Sequence, residues 1–199
     1  DDCYMANIET AYELNRVTDY LIGCPTEIMG HGMPYREMWK YLAPIHPDYG
    51  KAVDRFYDFY SNYSIGSIDY HYGTISVTDC RNIDAMMQVL DDIHARYRIG
   101  TSVGSNLQVL DGYRPAAFFD FSDYIHKLCA GDATLVGRFD RALSQLVPFE
   151  RHTANYFSSL TNAGEHSIST CCGLTISAPS TNIMVTNSKP RSNFYALFR

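Results

Sequence analysis

Asp1-Asp2-Cys3-Tyr4-Met5-Ala6-Asn7-Ile8-Glu9-Thr10-Ala11-Tyr12-Glu13-Leu14, followed by Asp19-Tyr20-Leu21-Ile22-Gly23-Cys24, is the stretch on which the fold turns. Residues 4–17 have a helical pattern: Ile8, Ala11 and Tyr12 share a face, and Ala, Glu and Leu are good helix formers. Asp1 and Asp2 stand just ahead, where acidic side chains cap free backbone N–H groups and complement the helix dipole. Residues 19–24 are apolar and stopped by Pro25, which reads as a buried strand. A strand, a cysteine, a helix and a second strand form the signature of a parallel βαβ layer, its first strand lying ahead of Asp1.

Working outward, residues 29–35 form a loop with two glycines and a proline. Helices are expected over 36–42 and 50–63, and a β-branched strand over 74–78. Asp79 can cap a helix over 83–97, where Ile83, Met86, Met87, Leu90 and Ile93 share one face. The Gly/Ser-rich stretch 100–106 is the best internal boundary and divides the chain into residues 1–99 and residues 100–199. Beyond it the expectations are helices over 122–129 and 135–146, strands over 172–177 and 194–198, and a loop or flap over 179–190.

The 199 residues suffice for one core of good size, and a 46% apolar, 19% charged composition excludes a disordered chain. With 16 Lys+Arg against 22 Asp+Glu, the net charge of -6 argues against nucleic acid or an acidic membrane surface as the main partner. No apolar run reaches the roughly 20 residues of a membrane span. Six cysteines without a C-x-x-C pair fit neither a disulfide scaffold nor a structural zinc site, and most read as small buried hydrophobes.

Cys3 is the sharpest chemical candidate. A thiol at a helix N-terminus is favoured as thiolate by the dipole and free N–H groups, while Asp1 and Asp2 oppose that charge. A cysteine nucleophile needs a general base, normally histidine. Of the seven histidines, His31, between Gly30 and Gly32, has the loop setting that binding and catalysis favour. Asp69, His71, Asp79 and Cys80 match no known ligand spacing, so no metal site is assigned. Phosphate-loop, G-x-S-x-G, H-E-x-x-H and Rossmann patterns are missing.

Read as D-x-C-x-M-x-x-x-E-x-A-Y-E-L, with Asp1, Cys3, Met5, Glu9, Ala11, Tyr12, Glu13 and Leu14, the opening resembles the active-site segment of the clostripain family of cysteine peptidases. Asp19 to Gly23, Glu27 and the Gly30-x-Gly32-x-x-Tyr35 loop look like the continuation of that motif. Residues 74–89 and 171–179 are similar more loosely. The resemblance implies an α/β fold, a caspase-like three-layer sandwich around a mostly parallel sheet with a C-terminal α+β extension: residues 1–99 would be the C-terminal part of the catalytic sandwich and residues 100–199 a C-terminal subdomain packed on it. It also implies a Cys–His dyad, cleavage after basic residues, and maturation into light and heavy chains.

Carried over by position, Cys3 matches the nucleophile and Asp1 an acid at the base of the pocket for a basic side chain. A carboxylate there pairs with Arg or Lys by charge-assisted hydrogen bonds. His31 stands where some relatives have a second pocket acid, and Glu27 is the nearest acidic substitute. The family's histidine lies upstream of the cysteine, so an N-terminal light chain or segment is the expected partner supplying it. The other partner is a protein or peptide substrate. By analogy the protein is secreted, periplasmic or on the surface of a bacterium. No cofactor is expected, and calcium, used by some relatives, has no D-x-D-x-D-G loop here. The alternative, prompted by His31, is a catalytically impaired binding or regulatory module of the same family.

Overall fold

The computed structural model describes residues 2–104 and 106–198, so Asp1 and residue 105 of the expected boundary loop lie outside the described residues. The chain mixes helix and strand in the order α1 (Ile8–Leu14), β1 (Tyr20–Gly23), α2 (Tyr35–Leu42), α3 (Tyr49–Tyr60), β2 (Ser64–Ile65), β3 (Ile68–Asp69), β4 (Thr74–Asp79) and α4 (Ile83–Tyr97). There follow β5 (Phe119–Asp120), α5 (Phe121–Leu128), α6 (Ala133–Leu146), β6 (Phe149–His152), β7 (Asn155–Ser158), β8 (Gly164–Ser167), β9 (Thr175–Ile176), α7 (Ile183–Ser188) and α8 (Asn193–Ala196).

Strand β4 is buried along its whole length because it is paired on both edges and covered on both faces. Alternation sends Ile75 and Val77 into a core with Met38, Val53, Phe56 and Tyr60 from α2 and α3. Ser76, pointing the other way, donates from Oγ to the Gly173 carbonyl. A second core joins Ile8 and Ala11 of α1, the expected face of α4, and Phe121, Phe139, Leu146, Leu174, Ile176 and Phe194. Residues from both sides of position 100 thus share one core.

Between the named strands, pairing among the described residues is antiparallel. Among the described residues, β1, β4 and β6 form an antiparallel sheet, with Tyr20 opposite Asp79 and Thr74 opposite His152. A parallel neighbour needs a single crossover; here two helices and the β2–β3 hairpin separate β1 from β4, and the chain re-enters running the opposite way. Parallel contact is confined to isolated bridges such as Asn7 to Thr175. Residues 4–7 stitch the sheet to the β5–β9 pair: Tyr4 and Ala6 donate to the carbonyls of Thr26 and Cys24, and Thr175 donates to that of Ala6.

Two further departures have local causes. The strand expected at 194–198 is helix α8, because Ser192 caps it and the Glu13 carboxylate accepts from the N–H groups of Asn193 and Phe194. That cap comes from a residue distant in sequence, which no local propensity registers. The loop expected at 179–190 contains α7, N-capped by Asn182, which accepts from Met184 N. No helix among the described residues is long and apolar enough to cross a membrane.

Candidate active site

Helix α1 begins at Ile8, capped by Asn7 Oδ1 accepting from Thr10 N at 2.7 Å, not by Asp2. Cys3 therefore stands ahead of the helix, not on its first turn, and the expected help from the dipole is corrected, since that effect fades within a turn. The chain is instead turned at Tyr4, which has φ of +63°. A bulky residue in that left-handed region costs about 1–2 kcal/mol and persists only where its surroundings over-determine it.

They do so here. Tyr4 N–H donates to the Thr26 carbonyl at 3.2 Å, and its own carbonyl accepts from Asn7 Nδ2 at 2.7 Å. The ring is stacked on Phe118 with centroids 5.1 Å apart and lies 6.1 Å from that of Tyr113. The hydroxyl donates to Glu27 at 3.2 Å. Half-buried Cys3 is presented from this clamped turn.

Glu27 forms the far side of the clamp. Its Oε2 accepts from Tyr4 Oη, from Ser158 Oγ at 2.9 Å and from Ser159 N at 2.9 Å, while Oε1 accepts from Ser159 Oγ. Burial alone would raise its pKa, but the bonds from Ser159, Ser158 and Tyr4 outweigh it and hold the carboxyl below the usual carboxylate range. These bonds brace residue 27 and the end of β7 against the residue after Cys3. A group with a depressed folded-state pKa contributes stability that is fully present above its unfolded pKa and lost as pH falls through the folded one. The thermal stability margin of wild type over Glu27→Gln should therefore be full at neutral pH and shrink below about pH 4.3. A margin independent of pH between 7 and 3 would contradict this brace.

Ser158, Tyr113 and Phe118 were not legible as site residues. They arrive on a loop built around Asp111, whose carboxylate accepts from the N–H groups of Tyr113, Ala117 and Phe118, and on the strand β7 packed beside it. Burial raises the Asp111 pKa despite those bonds. Gly112 admits β7 against this loop, since a Cβ there would lie 2.2 Å from Ser158 Oγ. The Asp111-Gly112 and Arg114-Pro115 pairs are turn-formers and were the available signal.

Cys3 lies near Cys24 and Tyr113. Burial pushes the Cys24 thiol up to about 12, with the charge of Cys3 adding to the effect. Burial likewise raises the Tyr113 hydroxyl, helped by the charges of Asp111, Glu27 and Cys3. Burial also raises the thiols of Cys80, Cys129, Cys171 and Cys172. A raised pKa makes each of these five a poorer source of thiolate, although Cys171 and Cys172 are, like Cys3, partly exposed.

His31 is exposed on the 29–35 loop, its ring 4.8 Å from that of Phe59 and 5.4 Å from that of Tyr63. Gly32, at φ +74°, makes the turn, and its carbonyl accepts from Tyr60 Oη at 2.6 Å. Other histidines are engaged elsewhere: His126 with Asp140, His152 with the Thr153 carbonyl and His166 with the Asn162 carbonyl. Among the described residues no hydrogen bond joins a histidine ring to Cys3, and no three His, Cys, Asp or Glu side chains cluster as a metal site.

A sequence model of the clostripain family matches residues 1–169. A clostripain from Bacteroides thetaiotaomicron ATCC 29148, solved in complex with the peptide inhibitor BTN-VLTK-AOMK, is 46% identical, with a TM-score of 0.91 over 100% of this chain and 84% of that one. A secreted C11 cysteine protease of Bacteroides thetaiotaomicron, iotapain, is also 46% identical, with a TM-score of 0.90 over 100% of this chain. The chain spans 54% of iotapain's length. An inactive zymogen C11 protease from Parabacteroides distasonis, 22% identical with a TM-score of 0.83, shares the fold over 98% of this chain and 56% of its own. No curated protein matches the chain.

Proposed function

We propose, since this chain belongs to the clostripain family, that it is the nucleophile-bearing portion of a cysteine endopeptidase that cleaves after basic residues. The observation that carries this reading is Cys3 itself, placed in the family's motif and held half-buried beside the clamped, strained turn at Tyr4. Cys3 Sγ attacks the scissile carbonyl, and backbone N–H groups near Cys3 hold the developing oxyanion. The C–N bond breaks, the amine leaves with a proton from the general acid, and water then hydrolyses the thioester to regenerate the thiol.

The base is a histidine of an N-terminal light chain or segment, in keeping with the lack, among the described residues, of a hydrogen bond from any histidine ring to Cys3. The caspase-like three-layer sandwich is supported by the two cores on opposite faces of β4. Secretion from a bacterium is supported by the secreted relative iotapain.

Basic specificity rests on Asp1 by its position before Cys3, and on the inhibitor of the 46%-identical relative, whose peptide ends in lysine before the AOMK group. His31 and Glu27 complete the substrate-binding proposal as a loop wall and as the brace beneath the nucleophile. The test is labelling of the complete protein with VLTK-AOMK and with the same peptide ending in alanine. Adduct mass is expected on Cys3, with the lysine probe faster by at least about tenfold, one decade being about 1.4 kcal/mol of charge-assisted pairing. Asp1→Ala should remove that preference while leaving slow labelling of Cys3. Equal rates for the two probes on wild type would refute basic specificity; no label at Cys3 would favour the binding-module reading.

A further inference from the structure

A cavity of about 410 Å³ opens between the Asp111 loop and α7, with Tyr113 and Phe118 in its wall. Its apolar walls are Tyr113, Ala117, Phe118, Met184 and Val185, and Glu9 lies at its polar end. Three features define what it can hold. It is continuous with the nucleophile's surroundings: Tyr113 and Phe118 pack on Tyr4, which follows Cys3, and the charge of Cys3 acts on Tyr113. Met184 is half exposed at its lip, which leaves the cavity accessible. Glu9 Oε1 accepts from Ser177 N, Ser177 Oγ and Tyr195 Oη, whereas its Oε2 is buried with no hydrogen-bond partner among the described residues.

That second oxygen is closed off from solvent and so out of a ligand's reach, and the accessible walls are apolar, which fits a hydrocarbon side chain. A second cation is disfavoured, because the Lys189 ammonium already lies there, donating to the Ala178 carbonyl at 2.7 Å, 5.3 Å from the Tyr195 ring centroid. We infer that this cavity is a specificity subsite for a bulky apolar side chain of the peptide substrate, such as leucine, at a position flanking the scissile bond. The inference rests on the endopeptidase reading and adds a second recognition point, chemically opposite to a pocket for a basic residue.

The experiment uses the complete protein and fluorogenic peptides with a fixed lysine at the cleavage point and each flanking position varied in turn. Wild type should favour leucine over aspartate by about tenfold or more at one flanking position. Val185→Trp, which fills the cavity, and Met184→Glu, which charges its lip, should each erase that preference at that position alone. Cleavage of a short substrate with lysine and no further residues on the acyl side should be unchanged in both variants. Cleavage with no apolar preference in wild type overturns the subsite. So do variants that lower thermal stability but leave every preference intact, since another segment of the protein would then fill the cavity. Absence of all cleavage in wild type would instead strike at the endopeptidase reading.

Discussion

Replacing Cys3 with alanine should abolish peptide cleavage, lowering kcat/KM by roughly 10⁴-fold or more, as removal of a covalent nucleophile does in other acyl-transfer enzymes. So large an effect is expected because no second thiol can substitute. Cys24, the nearest by its electrostatic coupling to Cys3, is buried with its thiol pushed up to about 12, leaving a negligible thiolate fraction at neutral pH. The remaining four are also raised by burial. Folding should be spared, because the Cys3 side chain donates none of the hydrogen bonds that hold the turn. The measurement is steady-state cleavage of a lysine peptide by the complete protein, with the thermal transition as a control. Normal cleavage by Cys3→Ala would end the endopeptidase proposal.

The second large effect is expected at Tyr4. Its ring is buried against Phe118 and Tyr113, and its backbone is left-handed. Truncating a buried aromatic to alanine costs about 3–5 kcal/mol. At most positions glycine would be worse still, because it adds backbone freedom to the unfolded chain. At φ +63° the order should reverse: alanine keeps the left-handed penalty of about 1–2 kcal/mol and glycine does not. Tyr4→Gly should thus be more stable than Tyr4→Ala by about 1 kcal/mol. Both should cleave far more slowly than wild type, with the loss in kcat, since Cys3 is no longer held. Tyr4→Phe keeps the ring and loses only the bond to Glu27, which retains Ser158 and Ser159, so it should stay within about tenfold of wild type, one hydrogen bond being worth about 0.5–1.5 kcal/mol. Denaturant unfolding with parallel kinetics tests the series; Tyr4→Ala at or above the stability of Tyr4→Gly would show that the turn is not strained.

Local patterns carried most of the secondary structure. The apolar face of α4 and the β-branched run of β4 are short-range signals, and both appear where expected. Helix α8 and the start of α1 show where such signals stop. Hydrogen bonds from Ser192, Asn193 and Phe194 to Glu13 decide the first across the length of the chain, and Asn7, not Asp2 ahead of it, decides the second. The direction of β4 relative to β1 was equally out of reach. Each strand's residues specify which faces are buried, not which way its neighbour runs.

For the site, Cys3 could be singled out from sequence as the candidate nucleophile, because it stands in a motif that resembles the clostripain active-site segment. What holds the thiol in place could not. Tyr4, Glu27, Ser158 and Phe118 are ordinary residues in separate stretches of the chain, and they become a clamp only because the Asp111 loop and β7 are folded against the opening. The same assembly gives Glu27 the donors that make it a brace, which no local pattern around residue 27 registers. Sequence determined that this protein bears a cysteine in a peptidase motif; tertiary structure decided the strain, the neighbours and the protonation of the other thiols, because burial and long-range hydrogen bonds exist only in the folded chain.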